Sequence, residues 1–116
     1  MKLPSVEVST AESVSELASA MLEKGATSVL ITENQKPIGM ISDRDLLKEI
    51  VENQKDPKKT CAKDLKYTPL IMLTEGESMP QVLKMMRAKG LGRVAMVKNG
   101  QLVGMLTENL ATKKAN

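Results

Sequence analysis

The stretch GMISDRDLL, residues 39–47, returns near the end of the chain as GMLTENLAT, residues 104–112. Both copies open on Gly-Met, pass one aliphatic residue and reach a hydroxyl, Ser42 or Thr107. Three residues further on, the first copy carries Asp45 and the second Leu110. Aligning Gly39 with Gly104 fixes an offset of 65 residues, which holds without a gap from residue 12 to residue 46. Nine pairs are identical across it: Glu12/Glu77, Ser13/Ser78, Met21/Met86, Lys24/Lys89, Gly25/Gly90, Val29/Val94, Asn34/Asn99, Gly39/Gly104 and Met40/Met105. Chance supplies about two over such a window at ordinary residue frequencies. Apolar character matches as well at Leu17/Val82, Ala18/Leu83, Ile31/Met96, Ile38/Val103 and Ile41/Leu106. The chain is an internal duplication, and that decides the fold before any single element is assigned.

Each copy carries the same order of signals. A short extended piece comes first, SVEVS (5–9) or LIMLT (70–74). Candidate N-caps follow, Thr10 and Ser13 in one copy, Thr74 and Ser78 in the other. Val14, Leu17, Ala18, Met21 and Leu22 then recur at helical spacing, and Met79, Val82, Leu83 and Met86 share the phase. Pro80 falls in the first turn, where a missing N–H costs nothing, and Gly25 and Gly90 stand where a left-handed C-terminal cap is wanted. Two β-rich runs come next, SVLIT and IGMIS, then RVAMV and LVGML. Asn99-Gly100 predicts a tight hairpin between the second pair, whereas ENQKP in the first copy reads as a longer turn. A last helix begins after Ser42 in DRDLLKEIVEN, and a short, fraying one after Thr107 in ENLATKKAN.

The predicted fold class is therefore mixed α/β (α+β), with two repeats of strand–helix–strand–strand–helix. They divide as residues 1–53 and 69–116, joined by a linker at 54–68. A half of that size buries little apolar surface alone. The two are expected to pack sheet to sheet about a pseudo-twofold axis, leaving two clefts lined by both copies.

Composition narrows the function. The chain has 116 residues, 41% of them hydrophobic, with one Tyr and no Phe or Trp. The core must come from Leu, Ile, Val, Ala and the nine Met, which serve as gap-fillers in an aliphatic interior. A net charge of +3 with scattered Lys and Arg, and no aromatic platforms, argues against nucleic acid. The one basic run, KDPKKTCAKDLK (55–66), reads as a solvated connection. Cys61 is the single cysteine and His is absent, so one chain assembles neither a disulfide, a zinc site nor a thiol–imidazole pair. Apolar runs are far too short for a membrane span, and MKLPSVEVST lacks the apolar core of a signal peptide. A cytoplasmic, soluble domain is expected.

Two readings of SDRD share one geometry. Ser-x-x-Asp at a helix start is close to a capping box, in which Ser42 caps the N–H three residues on and Asp45 reaches back. An acid in the first turn also suits the helix dipole, and on this reading Gly39 marks only a bulge or a close strand contact. The functional reading places phosphate at the helix N-terminus, with Ser42 as a further donor. Asp45 then accepts hydrogen bonds from both hydroxyls of a ribose, and Gly39 lets a base approach the backbone. Capping and binding do not exclude one another, since a cap can exchange its N–H for a ligand.

The duplicated unit, each copy ending in Gly-hydrophobic-hydrophobic-Ser/Thr, the first completed by x-x-Asp, resembles a tandem pair of CBS domains, often called a Bateman module. The resemblance covers essentially the whole chain, from about residue 4 to 113. It implies a sensor that binds adenosine-containing ligands (AMP, ADP, ATP, sometimes S-adenosylmethionine) in the clefts and that pairs into a flat homodimeric disc. Carried onto this chain, it assigns Asp45 to the ribose hydroxyls and Ser42 to phosphate, with Arg44 and Arg93 as phosphate-neutralising cations. Tyr67, Thr68, Leu70, Gly92, Val94 and Ala95 would surround the base, Arg93 lying among them. The mirror cleft would use Thr107 with Pro4, Ser5 and 27–30, including Thr27 and Ser28. There the sequence departs from the family pattern: Leu110 accepts nothing from a ribose, and Glu108 and Asn109 are rotated off by about 100° per residue. One competent site and one weakened site per chain are expected.

Three function classes follow. The first is a non-catalytic regulatory module whose nucleotide shifts the arrangement of the copies or of two chains, acting on a separate target protein. The second is a dimerisation scaffold of the same fold without a physiological ligand. The third, catalysis, lacks a nucleophile–base pair, because the acids lie mainly on predicted solvated helix faces.

Overall fold

A computed structural model describes residues 3–4, 6–73 and 77–107. The chain forms two compact units, Pro4–Tyr67 and Thr68–Asn116 with Met1–Leu3. The expected helix after Thr107, the cap candidate Thr74, and Ser5, Glu108, Asn109 and Leu110 lie outside the described residues.

The first unit runs β1 (Glu7–Ser9), α1 (Val14–Lys24), β2 (Ser28–Glu33), β3 (Lys36–Ser42) and α2 (Asp43–Leu47). β2 is central, parallel to β1 and antiparallel to β3. The second unit repeats the order with β4 (Thr68–Met72), α3 (Met79–Lys89), β5 (Arg93–Lys98) and β6 (Gln101–Thr107). β5 pairs parallel with β4 and antiparallel with β6. The offset of 65 read from the sequence carries α1 onto α3, β2 onto β5 and β3 onto β6, residue for residue. Even an irregularity is duplicated: the register shifts between Ile31 and Thr32, and again between Met96 and Val97. The glycines of the motif, Gly39 and Gly104, pair with Ile31 and Met96 directly before those bulges. A Cβ on Gly104 would stand 3.3 Å from the Met96 Cε, so the glycine leaves room for the methyl end of its cross-strand partner.

Local chemistry sets the helix ends. Ser13 caps α1 with a complete capping box to Glu16, so Ser13 rather than Thr10 is the cap. In the second unit the Ser78 N–H donates to Gln81 Oε1 at 2.7 Å. Gly25 and Gly90 close the two helices in the left-handed conformation. The apolar stripe of α1 is narrower than its spacing suggests. Val14, Leu17 and Met21 are buried, whereas Leu22 is 84% exposed. At about 100° per residue, Leu22 lies roughly 80° from Val14 and 100° from Met21, beyond the edge of the covered face.

Two further expectations are corrected. ENQKP is not a longer turn. Glu33 pairs with Lys36, so Asn34 and Gln35 alone form the bend, with φ of 52° and 66°. Asn99 and Gly100 adopt 52° and 75° in the copy. The strand register, held by buried Val29, Ile31 and Ile41, overrides the reluctance of Gln35 to enter that region. Nor is the run at 55–66 a solvated connection along its length. Ala62 and Leu65 are buried in the core of the first unit, beside Val8, Val14, Leu17, Met21, Val29, Ile31, Ile41 and Leu46. The first N–H groups of α1, left without helical partners, are satisfied by this segment: Val14 donates to the Thr60 carbonyl at 2.8 Å and Ser15 to that of Pro57 at 2.9 Å. Ala62 and Lys63 donate back to the carbonyls of Glu12 and Thr10. The segment is a clasp over the start of α1. The core of the second unit comprises Val82, Met86, Val94 and Met96, with Ile71, Leu83 and Leu106 packed against it.

Candidate functional site

The motif residues converge where β3 passes into α2. Ser42 ends the strand in an extended conformation and caps the helix. Its Oγ accepts the Asp45 N–H at 3.2 Å and donates to Asp45 Oδ2 at 3.0 Å. The same Oδ2 lies 3.5 Å from the Ser42 N–H, at the outer limit of a hydrogen bond. The Arg44 N–H donates to Asp43 Oδ1 at 2.7 Å, and the Asp43 N–H donates to the Thr27 carbonyl at 2.8 Å. The first three N–H groups of α2 therefore already have protein acceptors. The expectation of free donors awaiting a phosphate is corrected: an anion would have to take over donors that Ser42, Asp43 and Thr27 now satisfy. The capping reading of Ser-x-x-Asp is realised in full.

Within the first unit, Thr27 and Ser28 stand beside Ser42, since Ser28 is its cross-strand partner. Ser42 and Asp45 are half-buried; Arg44 is exposed and, with Leu47, Lys48, Val51 and Glu52, lines an open concavity of about 480 Å³. In the second unit, Leu70 pairs with Ala95 and Arg93 with Thr107. Val94 and Ala95 are buried, Gly92 and Arg93 exposed, and Leu70 and Thr107 half-buried. Thr68 is buried at the start of β4, and the half-buried Tyr67 packs on the core of the first unit. Within the first unit Ser28 and Ser42 share the end of the sheet where β2 begins, and within the second Arg93 and Thr107 share the end where β5 begins.

Sequence reasoning missed one charged group. Beyond Leu47 the helix widens into a π turn, Lys48–Glu52, in which the Asn53 N–H donates five residues back to Lys48. Glu49, on its inner side, is only 4% exposed. Its carboxylate accepts the Lys66 N–H at 2.6 Å and Asn53 Nδ2 at 3.0 Å, and it pairs with Lys55 Nζ at 3.0 Å. Burial pushes this carboxyl up, but the hydrogen bonds from Asn53, Lys55 and Lys66, with the Lys55 charge, more than offset that and hold it below its ordinary value. A signal was present: Leu46, Glu49, Ile50 and Asn53 fall on one helical face, so an acid stood on the core side. Among the described residues, no group of three or more Cys, Asp or Glu side chains is arranged to hold a metal ion, and no helix is long and apolar enough to cross a membrane.

The comparisons agree with the duplication. The chain is 37% identical over 101 residues to an uncharacterized protein of Methanopyrus kandleri, covering 85% of this chain and 52% of that protein. It spans about half the length of the curated relatives it matches. Among solved structures it resembles a CBS-domain protein from Burkholderia ambifaria, with a TM-score of 0.56 at 17% identity, over 95% of this chain and 81% of that one. It also resembles a CBS domain protein from Pyrobaculum aerophilum complexed with AMP, with a TM-score of 0.51 at 21% identity, over 94% and 84% of the two chains. At these identities the structural likenesses establish the fold. The model of the CBS domain matches residues 1–52 and again residues 62–109, one match for each copy of the repeat. This chain belongs to the CBS domain family and carries the domain twice, as a tandem pair.

Proposed function

We propose that the chain is a non-catalytic regulatory module that binds one adenine nucleotide, AMP, ADP or ATP, with Asp45 as the acceptor for the ribose hydroxyls. Ser42, Arg44 and Arg93 serve the phosphates, and Tyr67, Thr68, Leu70, Gly92, Val94 and Ala95 the base. The observation that carries this reading is the Ser42–Asp45 pair. It puts a half-buried carboxylate one residue from an exposed arginine, at the start of a helix and after the strand glycine of the motif. A sugar diol binding there takes the place of the Ser42 hydroxyl, which donates to Asp45 Oδ2 at 3.0 Å, and of the longer 3.5 Å contact from the Ser42 N–H. Family membership and the AMP held by the Pyrobaculum relative point the same way. Thr107, with Thr27 and Ser28, marks the weaker site, because Leu110 replaces the acid. Occupancy shifts the module only if one arrangement of the repeats, or of two chains in a homodimer, binds the nucleotide more tightly. The regulated target is a separate protein or a further part of a longer chain.

A second reading, a dimerisation scaffold without a ligand, is favoured by one observation: the Asp45 carboxylate is already engaged in a capping box. Calorimetric titration with AMP, ADP, ATP and S-adenosylmethionine, on the natural chain and on Asp45→Ala, separates the two. Heat from a nucleotide that vanishes in the variant supports the sensor, and no heat from any of the four supports the scaffold.

A further inference from the structure

Glu49 is the described carboxylate most thoroughly withdrawn from water, and the nucleotide reading gives it no task. A structural ion pair at a helix end would need only Lys55. Glu49 does more, because its closest partner is a main-chain group, the Lys66 N–H at 2.6 Å. Lys66 immediately precedes Tyr67 and Thr68, two of the residues assigned to the base, where the chain leaves the first unit. Glu49 itself lies one helical turn beyond Asp45, on the segment whose first turn holds Ser42 and Asp45. Asn53, four residues on, donates its amide to one Glu49 carboxylate oxygen at 3.0 Å, and the Lys66 N–H donates to the other.

We infer that Glu49 is a positioning residue: by anchoring the main chain at Lys66 to the helix that presents Asp45, it sets the base-side residue Tyr67, at the end of the first unit, against the ribose-side acid. This rests on the nucleotide reading above and deepens it, since it names the connection, within the first unit, between the Asp45 end and Tyr67. A bound nucleotide that touches both ends opposes opening of the Glu49–Lys66 bond, and breaking that bond loosens the nucleotide.

The test uses AMP as the probe, on the whole chain. Calorimetry of the natural chain, Glu49→Gln, Glu49→Ala and Asp45→Ala measures affinity at temperatures where each is folded. Gln keeps an oxygen for the Lys66 N–H, and Ala does not. The expected result is binding within about twofold of the natural chain for Glu49→Gln and at least about fivefold weaker binding for Glu49→Ala. A purely structural Glu49 would lower stability yet leave the affinity of folded protein unchanged. Hydrogen exchange at the Lys66 amide of the natural chain supplies a second readout that needs no variant to fold. At AMP a hundred times its dissociation constant, exchange through openings that destroy the site slows up to about 100-fold. Less than a threefold slowing, or equal AMP affinity in Glu49→Ala and the natural chain, overturns the role of Glu49 alone. Absence of AMP binding to the natural chain, or undiminished binding to Asp45→Ala, overturns the nucleotide reading and this inference with it.

Discussion

Replacing Glu49 with Ala is the substitution whose cost the structure specifies most closely. The carboxylate has three donors, and they lose unequally when it is removed. Lys55 is about one-third exposed (32%) and Asn53 is exposed, so both turn to water, and the ion pair is worth no more than about 1 kcal/mol. The Lys66 N–H loses the shortest of the three contacts, a part-buried hydrogen bond to a charged group, worth about 1.5–3 kcal/mol. Removing the side chain also relieves the penalty of burying the charge, which offsets the small void left behind. The net expectation is a loss of about 2–3 kcal/mol for Glu49→Ala, about 1 for Glu49→Gln and less than 1 for Lys55→Ala. Urea unfolding reads this directly. With a slope of about 1.5 kcal/mol per molar, the midpoint of Glu49→Ala falls by about 1–2 M. The pH dependence carries a sign. Glu49 is held below its ordinary value in the fold, so its contribution is present above the unfolded value, about 4.3, and is lost as pH falls below it. The stability gap between the natural chain and Glu49→Gln therefore narrows in acid. The reasoning is refuted if Glu49→Ala unfolds no earlier than Lys55→Ala, or if that gap is the same at pH 3 as at pH 7.

Other substitutions probe the repeat and the clasp. Gln35→Gly relieves the left-handed strain in the β2–β3 turn and reproduces the Asn-Gly of the second copy, so it raises stability by about 0.5–1 kcal/mol in urea unfolding; a loss would mean that the Gln35 side chain serves the fold. Ala62→Leu forces three extra carbons into the fully buried clasp and lowers stability by about 1–3 kcal/mol, whereas a solvated linker would accept it without change.

What the sequence disclosed, and what it withheld, follows from the range of the interactions. The duplication was visible because identical spacings demand identical elements, and the shared offset predicted both β-hairpin cores and both helices. Caps are local, so Ser13, Ser78, Gly25 and Gly90 could be read within a few residues. Gln35 misled because turn chemistry favours Gly there, while the register of buried strands decided the matter from a distance. The clasp was hidden because lysines dominate residues 55–66, and only Ala62 and Leu65 among them mark a buried side. Glu49 was hidden for the opposite reason: an acid suggests water, and its partner Lys66 lies 17 residues away. At the candidate site, Ser42 and Asp45 were legible as a pair, but one pattern encodes both a cap and a ligand contact. The structure realises the cap.

The central claim is that one carboxylate per chain holds a nucleotide by its ribose. Its most direct measurement is calorimetric titration of the natural chain and Asp45→Ala with AMP and with 2′-deoxy-AMP, which lacks one of the two hydroxyls. The account predicts one AMP per chain, at least tenfold weaker binding of the deoxy ligand, and no difference between the two ligands in Asp45→Ala. Equal affinity of the natural chain for both ligands would contradict it.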